Sequence, residues 1–390
     1  MSLRVPGVVS VAAVVAAIVA SAIGGYALAG ARAGSAGVAT GTDAGLALAS
    51  RTSLEQLLAT KPITPTGRTK TFDLAIGETT WELVPGVTTQ AVAVNRTVPG
   101  PTIRVTEGDA VVVNVRNQLT EPTSIHWHGV HVPNDQDGVS GVTQDPIPAG
   151  GSYTYRFTAS HAGTFMYHAH GPKSREQIDR GLYAPLIIDP AGPDQIAADV
   201  EQVLAIGNWM VGSDMATMGA MSMDYNYFTM NGKSYPATTP IAVRQGQLVR
   251  LRIVNPSQTL HPMHLHGLDM AVVAKDGEAL PQPQRLNTLD VAPGDTYDVV
   301  ILASAPGTWL FHCHDLHHVT NNGVEPGGLI VPIVVTASDG PSPSPSASAI
   351  PAASSAAPSA SPSLSSDPTA PASTTPEHTA VPGMTAMPGM

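Results

Sequence analysis

The run Thr106-Glu107-Gly108-Asp109-Ala110-Val111-Val112-Val113-Asn114-Val115-Arg116-Asn117 is written twice in this chain. It returns 138 positions later, from 106 to 244, as Arg244-Gln245-Gly246-Gln247-Leu248-Val249-Arg250-Leu251-Arg252-Ile253-Val254-Asn255. The same offset carries His126-Trp127-His128-Gly129 onto His264-Leu265-His266-Gly267. Further on, Pro148 to Tyr153 and Ala162-Gly163-Thr164-Phe165-Met166-Tyr167-His168-Ala169-His170 match Pro293 to Tyr297 and Pro306-Gly307-Thr308-Trp309-Leu310-Phe311-His312-Cys313-His314. There the offset is 144, so the second copy carries an insertion of six residues. Two homologous domains follow, at 69–190 and 200–337. Each copy alternates apolar and polar residues in short runs rich in Val, Ile, Thr and Tyr, bounded by Gly, Pro and Asn, which predicts an all-β fold of two β-sandwiches. The exception is Trp209 to Met230, with Met210, Met215, Met218, Met221, Met223 and Met230, read as a turn or two of helix between domains.

Composition points the same way. With 37 Gly and 35 Pro but only 5% aromatic and 13% charged residues, short strands and many turns are expected and a helix-rich fold is not. The formal charge of -11 comes without a basic run, which leaves nucleic acid no landing surface. Pro6 to Ala31 carries no charge, is preceded by Arg4 and is followed by small residues. Residues 1–33 therefore read as an export signal or, being just long enough to span a bilayer, as an N-terminal membrane anchor. Either reading puts the body outside the cytoplasm, in an extracellular, cell-wall or periplasmic space. Residues 34–68 read as a spacer with a short apolar stretch near Leu54 to Leu58. Residues 338–390, almost entirely Ser, Pro, Ala and Thr, lack the apolar surface to offset the entropy of ordering and read as a disordered tail.

The chemistry is concentrated in the histidines. Of 14, ten fall in four clusters: His126 and His128; His168 and His170; His261, His264 and His266; His312, His314 and His318. In an extended segment His-x-His sets both imidazoles on one side of the backbone. Four such pairs without metal would need many neutral rings satisfied by hydrogen bonds, so packing alone explains them poorly. Cys313, the only cysteine, sits inside the last cluster and can form no disulfide within one chain. With His261 and His318 it supplies the His₂Cys set of a blue copper site, while His312 and His314 face the opposite side of the strand. Under the two offsets His261, Cys313 and His318 correspond to Thr123, Ala169 and Ser174. The first domain thus keeps both His-x-His pairs and lacks every ligand of the mononuclear site.

These motifs in this order, with the lead-in Val98-Pro99-Gly100-Pro101-Thr102-Ile103-Arg104, resemble the multicopper oxidases over about residues 70–337. The resemblance implies cupredoxin-like Greek-key domains, four coppers per functional unit, and four-electron reduction of O₂ to water by electrons from a phenol, an aromatic amine or a metal ion. It assigns His126 and His264 to the type 2 copper and His128, His168, His170, His266, His312 and His314 to the type 3 pair. His261, Cys313 and His318 take the type 1 copper. Because the chain has room for two domains rather than three, it is similar to the two-domain laccases, in which the cluster lies between the first domain of one subunit and the second of its neighbour. A homotrimer is the expected assembly, since an interface between unlike faces closes into a ring.

Departures from the family pattern bear on details. Many relatives run from the last type 1 histidine to Gly-Met; here Val319 to Pro326 intervenes before Gly327-Gly328-Leu329, and Leu329 is the expected axial residue. Val319 stands where some relatives carry an acid. Asp137, in Asp-Gly after the first motif, is the candidate for proton delivery, although Asp before Gly138 also suits a plain turn. His317 adjoins His318 and could exchange with it by a shift of register. His131, His161 and His378 read as surface residues. The methionines admit two readings, a cuprous oxidase that uses soft thioethers for Cu(I), or apolar filling of irregular gaps. A copper nitrite reductase would need a blue site in the first domain and only one catalytic copper, against Ala169 and the ten clustered histidines; the intact ligand set also argues against a non-catalytic cupredoxin-like scaffold, and oxygen consumption separates a copper store from an enzyme.

Overall fold

The computed structural model describes residues 55, 57–196, 198–212 and 224–338. The export or anchor segment, most of the spacer, the tail beyond 338, and Met215, Met218, Met221 and Met223 lie outside them. The chain divides into two compact units, Met1–Lys61 and Pro62–Met390. In the first, Leu57 and Leu58 are exposed.

The second unit holds two β-sandwiches in tandem. In the first, β1 (Thr69–Val84), β2 (Val87–Val94), β4 (Ala110–Asn117) and β6 (Ser152–Thr158) form a sheet in the order β2-β1-β4-β6. It packs on β3 (Ile103–Thr106), β8 (Tyr183–Asp189), β7 (Gly163–Ala169) and β5 (Ile125–His128), in the order β3-β8-β7-β5. In the second sandwich, β9 (Val200–Trp209), β10 (Tyr227–Met230), β12 (Leu248–Val254), β14 (Met270–Lys275), β15 (Glu278–Leu286) and β17 (Thr296–Leu302) are ordered β10-β9-β12-β17-β14-β15. Opposite lie β11 (Ile241–Arg244), β13 (His261–Leu265), β16 (Thr288–Val291), β18 (Gly307–Cys313) and β19 (Ile330–Thr336), ordered β11-β19-β18-β13-β16. The repeated run forms β4 and β12, each at the middle of its sheet. In β4 the alternation is literal: Val111, Val113 and Val115 are buried while Asn114 and Arg116 lie nearer solvent.

Trp209 closes β9, and Tyr227–Met230 pairs with it antiparallel as β10; the turn or two of helix expected between them falls on residues 213–223, outside the described residues. Two features depart from the sequence reading. A short α-helix, α1 (Ser174–Asp179), stands in the first sandwich, too short to show a helical period. The end of the expected spacer is part of the first domain, because Thr66 donates to Asp109 at 2.6 Å and Arg68 pairs with the same buried carboxylate at 2.9 Å.

The sandwiches are joined through a buried polar knot. Thr164 on β7 donates to Asp298 on β17 at 2.5 Å, and Thr296 Oγ1 donates to the Thr164 carbonyl at 2.7 Å. Asp298 is paired with Arg250 and, at 3.5 Å, with Arg252, both from β12. The outer ends of these arginines reach Asp194 and Glu201 at 2.6 and 2.8 Å. Isolated buried guanidinium groups would be costly, and each has an acid on both sides.

Candidate metal centre

Alternation along β18 decides the geometry. Phe311 and Cys313 are buried between the sheets, whereas His312 points to the outer face. On β13, which pairs with β18 so that Met263 lies opposite Cys313 and His264 opposite His312, the buried residues are His261, Met263 and Leu265. Two strands therefore place His261 and Cys313 on the inner side and His264 and His312 on the outer side. In the first sandwich β5 and β7 repeat the arrangement: His126 lies opposite His168, and Ile125 opposite Ala169.

On the inner side, Cys313 Sγ lies 3.8 Å from His261 Nδ1 and 3.5 Å from His318 Nδ1. All three residues are buried and their donor atoms lie within 4.8 Å of one another. His318 reaches the thiol from a short 3₁₀ turn, Leu316–Val319, whose first backbone N–H groups are capped by Asp315. His317 is exposed and turns its ring edge toward Phe228, so it is His318 that joins the sulfur. Leu329 is fully buried beside this group: its N–H donates to the His318 carbonyl at 2.9 Å and its carbonyl accepts from Cys313 N–H at 3.0 Å. The insertion Val319 to Pro326 is held by Asn321, which donates to the Tyr235 carbonyl at 2.7 Å, and by Asn322, which accepts from Asn226 at 3.1 Å.

Burial pushes the Cys313 thiol up to about 12 and pulls His261 down to about 3. It also lowers His318, against the opposing charge of Asp315. A thiol that resists ionisation between two imidazoles that resist protonation is an unused donor set unless a soft cation neutralises the thiolate, and His₂Cys fits copper.

On the outer side of the second sandwich, His264, His266, His312 and His314 form a quartet with ring centroids 4.9 to 6.0 Å apart. His266 Nε2 and His312 Nε2 are 2.9 Å apart. The first sandwich has the matching quartet: His126 lies 5.7, 5.4 and 5.4 Å from His128, His168 and His170. Donor atoms of His126, His128 and His168 come within 4.8 Å of one another. Burial lowers His168 to about 3 and also lowers His128 and His312. Among the described residues no ring contact joins one quartet to the other.

Four of these rings are oriented by backbone carbonyls. His168 Nδ1 meets the Ala169 carbonyl at 2.9 Å and His312 Nδ1 the Cys313 carbonyl at 2.7 Å, the same contact in both copies. His126 Nδ1 meets the Asp137 carbonyl at 2.9 Å, and His264 Nδ1 the Asn287 carbonyl at 2.8 Å. A ring that donates from Nδ1 keeps Nε2 as a free lone pair for a metal. Asp137 also holds a carboxylate oxygen 3.4 Å from His126 Nδ1. Both contacts depend on Gly138, whose φ is +86° and where a Cβ would lie 1.8 Å from the Ile125 carbonyl oxygen.

Where the second sandwich has the thiol site, the first has a hydrogen-bonded plug. Thr123 donates to Gln177 at 2.7 Å, Gln177 donates to Glu121 at 2.9 Å, and Ala169 is buried nearby in the core. Gln177 comes from α1, which occupies the place of the His318 turn. Sequence reasoning missed Gln177, the Ser257 and Thr259 hydroxyls on His261 Nε2 at 3.1 and 2.9 Å, and Phe228, whose ring lies 4.2 Å from that of His318. No motif marks them. His131 is exposed, and its ring lies 4.7 Å from that of the half-buried His161, tilted by 37°; His378 lies outside the described residues.

Two sandwiches, one thiol site between the sheets of the second and an imidazole quartet on each define a cupredoxin-type copper protein with more than one metal centre. Multicopper oxidase family profiles match residues 75–193 and 211–324. The blue copper oxidase from Nitrosomonas europaea superposes with a TM-score of 0.65 at 35% identity, over 69% of this chain and 86% of that one. Copper resistance protein A of Escherichia coli is 32% identical over 59% of this chain and 46% of its own length. Laccase-1 of Cryptococcus neoformans var. neoformans serotype D is 34% identical over 61% of this chain and 42% of its own. The chain belongs to the multicopper oxidase family. It spans about half the length of the curated relatives it matches.

Proposed function

We propose that the chain is a laccase-like multicopper oxidase, coupling one-electron oxidation of a small reductant to the four-electron reduction of O₂ to two waters. The observation that carries this reading is the two-faced strand β18, with Cys313 against His261 and His318 on one side and His312 within the quartet on the other. His261, Cys313 and His318 would hold the type 1 copper, His126 and His264 the type 2, and His128, His168, His170, His266, His312 and His314 the type 3 pair. Copper bound there supplies the one-electron storage and oxygen chemistry that side chains cannot.

The chain's own residues do the rest. Cys313 is bonded along the backbone to both His312 and His314, giving electrons a covalent route from the inner to the outer face. Carbonyl-held imidazoles keep Nε2 of His126, His168, His264 and His312 presented without rotation. Asp137, beside His126, is the candidate to pass protons toward reducing oxygen. Each sandwich holds half of the cluster set, which supports completion of the site by a second copy and a homotrimeric ring. The charge-free Pro6 to Ala31 supports export, as a cleaved signal or an anchor. Ala169 and the Thr123–Gln177 plug, in place of a first-domain thiol site, weigh against nitrite reduction. An oxygen electrode tests the reading: four equivalents of reductant should be consumed per O₂ without peroxide, and a two-electron stoichiometry would overturn it.

A cuprous oxidase is the second reading, favoured by the similarity to a protein named for copper resistance and by the methionines around 210–230. Deleting residues 213–223 should then lower Cu(I) oxidation while leaving oxidation of 2,6-dimethoxyphenol intact; equal losses would discard it.

A further inference from the structure

The two imidazoles at the thiol site differ in what lies behind them. His261 is sealed, its Nε2 held by Thr259 and Ser257 inside the sandwich. His318 Nε2 instead faces outward to the carboxylate of Asp315, at 3.5 Å, and that side chain is 49% exposed. Asp315 is fixed in place because its Oδ1 accepts from the His317 N–H at 3.1 Å. Among the described residues no lysine or arginine forms an ion pair with it. Leu316 next to it is 62% exposed and Leu260, next to His261 at the same end of the sheet, is 46% exposed. The edge through which an electron can reach His318 thus carries one fixed negative charge beside two exposed leucines, on a chain of formal charge -11.

We propose that Asp315 is the specificity-determining residue of the oxidation site, selecting a cationic reductant with an apolar body over an anionic one. The inference rests on the oxidase reading and names its substrate class. The carboxylate attracts a cation docked against Leu316 and Leu260, and it repels an anion there. Each reductant molecule gives up one electron and leaves as its oxidised form, and four such events with four protons convert one O₂ to two waters. The Asp315 carboxylate also stands 3.5 Å from His318 Nε2, and its negative charge behind the ring favours the more oxidised metal.

The test uses the copper-loaded full chain and two reductants with one redox core and opposite permanent charges, (ferrocenylmethyl)trimethylammonium and ferrocenesulfonate. One unit charge about 6 Å away in water changes each rate by roughly threefold, so the cation-to-anion ratio of kcat/KM should fall about tenfold in Asp315→Asn. Asp315→Glu should keep the ratio, and added salt should erase it in the wild type. The reduction potential of the blue site, read from its visible band, should rise in Asp315→Asn and not in Asp315→Glu. A change in potential alone would alter both ferrocene rates together and leave their ratio unchanged. A wild-type ratio insensitive to salt, or an Asp315→Asn ratio equal to wild type with the band intact, overturns the assignment. A wild-type chain that takes up copper without such a band overturns the oxidase reading itself, a separate outcome.

Discussion

Replacing Asp298 with Asn should loosen the joint between the two sandwiches. Asp298 is 1% exposed, with Arg250 and Arg252 at 4% and 1%. It accepts from Thr164 and from both guanidinium groups. Asn keeps one acceptor oxygen but removes the charge and turns an N–H₂ toward either Thr164 or the two guanidinium groups. Breaking a buried pair on one side costs about 3–5 kcal/mol. Asp194 and Glu201 still hold the outer ends of the arginines, which puts the expected loss near the lower end, about 3 kcal/mol. For a folded region of this size that corresponds to a fall in Tm of about 6–12 °C. Urea and thermal unfolding of the copper-free chain measure it, with Asp269→Asn as the comparison, because its pair with Arg285 is solvent-exposed and worth no more than about 1 kcal/mol. A loss for Asp298→Asn no larger than that of Asp269→Asn would refute the reasoning.

Acid should weaken the copper-free chain. His168 and His261 are lowered by burial to about 3, so between that value and about 6.5 the unfolded chain binds more protons than the folded one. Stability is then full above pH 6.5 and falls with acidification by up to about 1.4 kcal/mol per pH unit for each ring; a urea midpoint unchanged from pH 7 to pH 5 would contradict it. Gly138→Ala should cost at least about 3 kcal/mol, since it adds a Cβ against the Ile125 carbonyl at positive φ. A Gly138→Ala chain with the wild-type unfolding midpoint would show that the turn beside His126 can relax.

Much of the site was legible because strand alternation is a strict rule. His-Cys-His on one strand had to divide between two faces, and Thr123 and Ala169 announced that the first sandwich lacks a thiol site. What fills that place was not legible: α1 has six residues, fewer than two turns, and Gln177 meets Thr123 only through folding. Phe228 on His318 is likewise a tertiary contact between segments far apart in sequence. The alternation of Arg250 and Arg252 in β12 reads as a solvent-facing pattern, yet both are buried, because period-two patterning distinguishes faces of a strand and not water from a neighbouring sandwich.

Copper titration of the purified full chain under visible absorption reaches the central claim directly. Saturation should bring about four ions per functional unit and an intense thiolate-to-copper band that Cys313→Ser abolishes while the other ions remain. Saturation near one ion per chain, or a Cys313→Ser spectrum indistinguishable from wild type, would contradict it.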